Sequence, residues 1–132
     1  MQKLTSNLTC KAKIKFHPHI ENNRLIYDSL TILLCCSVSE AFGRTIAEAM
    51  SFGIPVIANA NGGPVEIIDD GINGLLYNKT PDSLSEKMIA LVSDPVLYEK
   101  ISNNAIIKAR EEFSIERYVN EVALLFKSSV RS

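Results

Sequence analysis

The sequence predicts an α/β fold in which a parallel sheet is covered by helices, and two observations support this. Short apolar runs such as Thr31–Cys36 and Pro55–Ala58 alternate with stretches in which apolar residues recur at helical spacing. Glycine and proline turn signals separate these runs. Strands that alternate with helices form parallel βαβ units with right-handed crossovers. A length of 132 residues corresponds to one domain of this kind.

The first part of the chain predicts two strands and a helix between them. The polar stretch 1–12 is expected to be a disordered lead-in or the end of a helix. Lys13–His17 alternates as a strand does, and Glu21–Leu30 carries apolar residues at helical spacing. Thr31–Cys36 is a continuous apolar run, which is typical of a parallel strand that is covered on both faces.

The remainder predicts two further strands, four helices and one helical turn. Arg44–Phe52 is the central helix, with Ile46, Ala49 and Met50 on one side and Gly53 near its C-cap. Thr80-Pro81 and Asp94-Pro95 each combine an N-cap residue with a proline at the first helical position. The predicted elements after the central helix are strand Pro55–Ala58, a helical turn at Val65–Ile68, strand Leu75–Tyr77, and helices Asp82–Val92, Val96–Glu112 and Ile115–Lys127.

Composition and charge exclude several classes of function. The apolar fraction of 46% and the charged fraction of 22% are ordinary for a globular domain. A net charge of −1 favours neither nucleic acid nor an anionic membrane. No apolar run approaches the length of a membrane span. Cys10, Cys35 and Cys36 lack metal-ligand spacing and are predicted to be reduced core residues, which favours a cytoplasmic protein.

The loop Ser37–Thr45 is the candidate site, because it follows a strand and precedes a helix. Ligands of parallel sheets bind at this position, beyond the carboxyl ends of the strands. Unpaired amides at a helix N-terminus bind phosphate, and Gly43 lets the backbone approach a ligand closely. Glu40 precedes the helix and Glu48 lies about one turn into it, so both carboxylates can accept hydrogen bonds from sugar hydroxyls. The arrangement suits a ligand with phosphates in the middle and hydroxyl-bearing rings at both ends.

The two glutamates form an E-x7-E pattern in a longer string, S-E-A-F-G-R-T-I-A-E-A-M-S-F-G-I-P-V-I-A followed by G-G-P-V-E-I-I. This string resembles the donor-binding signature of the retaining nucleotide-sugar glycosyltransferases of family four. Those enzymes have two Rossmann-like halves, the GT-B architecture. The resemblance runs from Lys13 to the C-terminus and covers the second half of the family's two-domain chain. It implies a nucleotide-sugar-binding Rossmann-like domain over 13–132 with a helical C-terminal section, and no N-terminal acceptor-binding domain.

The resemblance also implies a role for each residue of the loop. Glu40 would contact the hydroxyls of the transferred sugar near the reacting carbon, as the catalytic residue. Glu48 would hold both ribose hydroxyls of the nucleotide. The backbone that meets sugar and phosphate would be that of Ala41, Phe42, Gly43, Arg44 and Thr45. The family commonly has an aliphatic residue at the position of Arg44, so an exposed arginine is the simplest interpretation there.

Other polar and glycine residues have structural interpretations. Gly62, Gly63, Pro64 and Glu66 are expected to form a turn and the start of a helix. His17 and His19 form a His-x-His pair without a third ligand nearby, which is more often packing or surface than a metal site. By resemblance, the loop that holds His19 and Ile20 lies near the nucleotide base.

The resemblance predicts a donor site without an acceptor site. Similar full-length enzymes carry an upstream Arg and Lys that neutralise the leaving diphosphate. The upstream lysines of this chain stand in no matching motif; they are Lys3, Lys11, Lys13 and Lys15. We therefore expect the chain to bind its donor better than it reacts. Its partners would be a UDP- or GDP-sugar and the missing acceptor-binding domain, in cis or in trans, with no metal and no other cofactor.

Two further expectations concern the missing half. The helix that begins at Ile115 would return to it, as in similar enzymes, and any membrane association would depend on it. Apolar residues of that helix would then be partly exposed; they are Tyr118, Val122, Leu125 and Phe126.

Two alternatives stay open from the sequence. One is a non-catalytic module that binds nucleotide sugar or pairs with a separate N-terminal subunit. The other is an unrelated doubly wound domain with a chance E-x7-E pattern.

Overall fold

The structure is a computed structural model that describes residues 14–18, 20, 23–38, 43–114 and 117. Within these residues the strands form one three-stranded parallel sheet in the order β1-β2-β3. The elements are α1 Asn23–Tyr27, β1 Leu33–Cys35, α2 Arg44–Ser51, β2 Val56–Asn59, α3 Gly63–Ile67, β3 Leu75–Tyr77, α4 Pro81–Ser93 and α5 Pro95–Phe113. The predicted α/β fold class is confirmed.

The central strand β2 separates two layers of apolar side chains. Its neighbours are in parallel register, with Ile57 opposite Leu34 on one side and opposite Leu75 on the other. Val56 and Ala58 point into a cluster with residues of α1, α2 and α3, while Ile57 points into a second cluster with residues of β3, α4 and α5. Alternate side chains of a strand face opposite sides of the sheet, so helices cover both faces and the domain has three layers.

Helix α2 forms where predicted and is set into the first cluster by three fully buried residues, Ile46, Ala49 and Met50. Its C-terminal end is closed by Gly53, whose φ of 70° is a left-handed conformation that favours glycine. The amide of Gly53 donates to the Met50 carbonyl, and the next amide, of Ile54, donates to the Ala49 carbonyl. These two bonds satisfy the carbonyls of Ala49 and Met50 in the last turn of the helix.

The start signals of α4 and α5 are confirmed. The Thr80 hydroxyl accepts a hydrogen bond from the Ser83 amide at 3.2 Å. The Asp94 carboxylate accepts from the amides of Val96 and Leu97, each at 3.0 Å. Ser114 repeats the pattern by accepting from the Arg117 amide at 3.2 Å. The helix predicted to follow lies otherwise outside the described residues, as does the lead-in 1–12.

The predicted strand Lys13–His17 is wrong for the residues that the structure describes. Residues 14–18 form no strand, and Ile14 and Phe16 are about half exposed at 47% and 49%. A strand is stabilised by backbone hydrogen bonds to a neighbouring strand. None of the three described strands pairs with this segment. Its alternating pattern therefore has no sheet to join.

Strand β1 is less buried than its apolar sequence predicts. Leu34 is 39% exposed, and Cys35 is half-buried. The expectation that the cysteines lie in the core is wrong for Cys36, which is exposed. Among the described residues β1 is an edge strand, so it lacks the second neighbour that would cover it. Cys10 lies outside the described residues.

Helix α1 ends at Tyr27, three residues before the end of the predicted Glu21–Leu30, whose first two residues lie outside the described part of the chain. The Ser29 hydroxyl donates to the Ile26 carbonyl at 2.8 Å, and the Ser29 amide donates to the same carbonyl at 3.0 Å. Serine side chains compete in this way for the carbonyls that a continuing helix would use. The chain therefore turns directly after Tyr27.

Candidate functional site

The carboxyl ends of the three strands place two loops side by side. The loop after β1 leads to α2, and the loop after β2 leads to the five-residue helix α3. The amide of Ala60, just beyond β2, donates to the carbonyl of Tyr77 at the end of β3. Such an edge is where parallel sheets bind ligands, so the described ends of the predicted loop, 37–38 and 43–45, lie at the expected place in the fold.

Helix α2 begins at this edge with amides, those of Arg44 and Thr45, that donate to no backbone carbonyl among the described residues. The first intrahelical bonds are donated by Ile46 and Ala47, both to the Gly43 carbonyl, at 2.9 and 3.2 Å. The amides of Arg44 and Thr45 come before this ladder of bonds. They lie at the positive end of the helix dipole, where an anion is stabilised. A helix terminus of this kind can hold an anion, and the predicted role of Arg44 and Thr45 stays a prediction.

Gly43 is required at this terminus by the protein's own packing. Its φ of 72° is left-handed. A Cβ added there would lie 3.1 Å from the Cδ1 methyls of Ile46 and Ile67, and Gly43 itself is buried. Its freedom thus lets α2 start close to α3. The sequence-based idea of a close approach to a ligand is not needed to explain this glycine.

Glu48 lies one turn further along α2 and is held from α1. The Tyr27 hydroxyl donates to its Oε2 at 2.8 Å, across 21 residues of sequence. Its Oε1 lies 3.7 Å from the guanidinium of Arg44, which is 83% exposed, as expected for this arginine. An ion pair this exposed contributes little. The Glu48 side chain is itself 35% exposed, so its carboxylate is oriented by Tyr27 and still accessible.

Tyr27 is a member of the site that the sequence did not single out. It is buried and stacks on Phe52, with ring centroids 5.2 Å apart. Burial, and then its hydrogen bond to the Glu48 carboxylate, raises the pKa of Tyr27 to about 12. No local pattern marks this residue, since its partner lies on another helix.

The raised pKa predicts a loss of stability at alkaline pH. Between about pH 10 and 12 the folded state keeps the Tyr27 proton that the unfolded chain releases, so the free energy of unfolding falls as the pH rises. A Tyr27→Phe variant is expected to lose less stability over this interval, by on the order of 2 kcal/mol. Urea unfolding of both proteins at pH 9 and pH 11.5 measures the difference. An identical pH dependence would contradict the assignment.

The comparison with the variant is needed because two other described groups also have raised pKa values. Burial, and then a hydrogen bond with Cys36, raises the pKa of Tyr77. Burial alone would lower the pKa of Lys108, but hydrogen bonds to Glu112 and Asp69 outweigh it and raise that pKa. Both contributions are common to wild type and variant, so they cancel in the difference.

The remaining predicted site residues divide into two groups. Glu40, Ala41 and Phe42 lie outside the described residues, and so does His19. His17 and Ile20 line an open apolar groove of about 660 Å³ against α1.

The described residues do not form a metal centre or a membrane span. Across 14–18, 20, 23–38, 43–114 and 117, no cluster of three His, Cys, Asp or Glu side chains is placed to hold an ion. No helix within the same ranges is long and apolar enough to cross a bilayer.

Comparison with known proteins finds one family and many relatives. The family described as Glycosyl transferases group 1 matches residues 1–108. A sucrose synthase from Denitrovibrio acetiphilus is 36% identical over 104 residues, which are 75% of this chain and 13% of that protein. An uncharacterised glycosyltransferase from Methanocaldococcus jannaschii is 32% identical over 130 residues, which are 96% of this chain and 33% of that protein.

Solved structures agree with this family. The structure of Anabaena HepE in complex with UDP-glucose superposes with a TM-score of 0.83 at 25% identity, over 96% of this chain and 35% of that one. A glycosyltransferase from Rickettsia africae gives a TM-score of 0.87 at 26% identity, over 99% and 36%. This chain therefore spans about a third or less of the proteins that it resembles here.

Proposed function

The chain belongs to the group 1 glycosyl transferases, and from this premise we propose that it is the donor-binding domain of a retaining glycosyltransferase of family four. Its donor is a UDP- or GDP-hexose, and the acceptor is a glycan or a lipid-linked glycan. Membership of this family excludes the alternative of an unrelated domain with a chance E-x7-E pattern. The complexes of Anabaena HepE with UDP and with UDP-glucose support a uridine donor.

The observation that carries this proposal is the geometry of α2. One helix begins with amides that donate to no described backbone carbonyl and carries an oriented carboxylate one turn later, at the carboxyl edge of a parallel sheet. The diphosphate is held by the amides of Arg44 and Thr45, where the helix dipole stabilises its charge. Glu48 accepts from the two ribose hydroxyls. The exposed Arg44 guanidinium is only weakly paired with the Glu48 carboxylate, so it leaves that carboxylate to the ribose at little cost in free energy.

In the proposed reaction the acceptor oxygen forms a bond to the anomeric carbon as the bond from that carbon to the donor phosphate breaks on the same face, so configuration is retained. The hydroxyl proton passes to the leaving nucleoside diphosphate. The charge that develops on the leaving diphosphate is stabilised by the helix terminus and by basic side chains, so no metal is needed. Glu40 contacts the sugar near the reacting carbon. The nucleobase occupies the groove between His17, Ile20 and α1, the same helix that orients Glu48.

A second candidate function is a binding module that does not catalyse transfer by itself. It is favoured by the share of length, since the chain spans 35% of the HepE chain and 13% of the sucrose synthase. In this version the acceptor-binding domain is supplied in cis or in trans, and the isolated domain binds donor without transferring it.

Isothermal titration with UDP, GDP, UDP-glucose and GDP-mannose tests the proposal. We expect saturable binding of either the uridine or the guanosine ligands. The nucleoside diphosphate, UDP or GDP, is expected to keep most of the affinity of its sugar conjugate, because the proposed contacts are to ribose and phosphate. Release of UDP or GDP on adding a glycan acceptor separates the enzyme from the binding module. A folded chain that binds none of the four ligands would contradict the proposed function.

A further inference from the structure

Two asparagines, Asn59 at the end of β2 and Asn61 in the loop after it, contact the segment that follows β1. The Asn59 side-chain amide donates to the Ser37 carbonyl at 3.3 Å. The Asn61 side-chain amide donates to the Val38 carbonyl at 2.7 Å. The partners are 22 and 23 residues apart in sequence, so these bonds are tertiary and join the end of β2 to the segment after β1. They hold the last two residues described before Glu40.

Asn59 is expected to lower the free energy of unfolding, because it is a buried polar residue with an oxygen that is unsatisfied by the described residues. It is 3% exposed, and its Oδ1 has no hydrogen-bond partner in the described part of the chain. An unsatisfied buried polar atom costs about 1–3 kcal/mol. The three preceding residues of β2 are fully buried and apolar, so an apolar residue is compatible with this environment. Stability alone therefore does not explain why position 59 is an asparagine, even with its long hydrogen bond to the Ser37 carbonyl.

We propose that Asn59 and Asn61 are positioning residues that fix the backbone of Ser37 and Val38 at the carboxyl edge of the sheet, where α2 also begins. The proposal rests on the proposed function, because it assigns the hydrogen bonds of Asn59 and Asn61, here called the tethers, to donor binding. It adds a requirement to that function: the loop after β2 must hold the loop after β1 before the donor can bind tightly.

The test compares Asn59→Ala and Asn61→Ala with a matched control, Asn104→Ala. The Asn104 side-chain amide also donates to a loop carbonyl, that of Ile72 at 3.0 Å. Amide hydrogen exchange is read on the peptides that cover Ser37 and Val38, and UDP-glucose affinity is read by calorimetry. We expect both site variants to speed exchange there and to weaken binding by about two- to tenfold, the effect of one lost hydrogen bond. The control is expected to change neither.

Two further variants and readouts separate positioning from a structural role. Asn61 is only partly buried, so its variants are expected to fold even where Asn59→Ala does not. Asn61→Gln keeps the amide donor and is expected to recover the affinity. The midpoint of urea unfolding is expected to stay the same in the Asn61 variants.

The outcomes are distinguishable. Unchanged exchange at Ser37 and Val38, or faster exchange with unchanged affinity, would overturn the positioning proposal. A wild-type chain that does not bind UDP-glucose would instead overturn the proposed function, and with it the assignment of the tethers to donor binding. The exchange data would then still decide whether the tethers hold the loop.

Discussion

A Glu48→Gln variant is expected to bind UDP about 10- to 100-fold more weakly than the wild-type chain, the effect of losing charge-assisted hydrogen bonds to ribose. The glutamine side chain keeps an oxygen that accepts from the Tyr27 hydroxyl, so the side chain stays in place. It loses the negative charge and one of the two acceptor oxygens. The free energy of unfolding is expected to change by less than about 1 kcal/mol.

The matched control for this variant is Glu86→Gln. Glu86 is an exposed glutamate within α4, a helix that begins after β3 and covers the second apolar cluster. It is expected to leave UDP affinity unchanged. Equal affinity in the Glu48 variant and the control, measured by calorimetry, would show that Glu48 does not contact the nucleotide.

An Ile57→Ala variant is expected to lose about 2–5 kcal/mol of unfolding free energy, because it removes three carbons from a fully buried site. Ile57 lies at the centre of the middle strand and packs among Leu75, Leu91 and Ile101. A loss of this size is a large fraction of the stability of a domain, which is typically about 5–15 kcal/mol.

The same truncation at Ile89 provides the comparison. Ile89 lies on α4 and is 65% exposed, so Ile89→Ala is expected to change the free energy of unfolding by less than about 0.5 kcal/mol. Urea unfolding of the two variants beside the wild type measures both effects. Similar values for the two isoleucines would mean that β2 does not form the centre of the sheet.

Local chemistry made much of the fold predictable. Thr80-Pro81 and Asp94-Pro95 located the starts of α4 and α5 within a residue, because an N-cap and a following proline act within four residues of sequence. The spacing of Ile46, Ala49 and Met50 identified the buried side of α2, because helical periodicity is also a local property of the sequence.

What could not be predicted depends on pairing between distant residues. The alternation of residues 14–18 has the pattern of a strand, but a strand also needs a partner, and the pattern does not show one. The burial of β1 likewise depends on how many strands stand beside it. Both errors concern the edge of the sheet, where local sequence carries little information.

In the candidate site, too, the features that depend on local sequence were predicted, and the contacts between distant residues were not. The position of Glu48 on the helix, and of Arg44 and Thr45 at its N-terminus, followed from the sequence. The contacts of Tyr27, Asn59 and Asn61 span 21 to 23 residues and did not. A polar residue at the end of the apolar run of β2 was the one available signal for Asn59. The predicted roles of Glu40, Ala41 and Phe42 stay predictions, since these residues lie outside the described part of the chain.

The central claim is that a nucleoside diphosphate binds with its phosphates at the N-terminus of α2. Titrating ¹⁵N-labelled protein with UDP, and separately with uridine, tests it at single amides. UDP is expected to shift the signals of Gly43, Arg44 and Thr45 strongly, whereas uridine, which has the ribose but no phosphate, leaves them nearly unchanged. Saturation with UDP that shifts other amides and leaves these three in place would contradict the account.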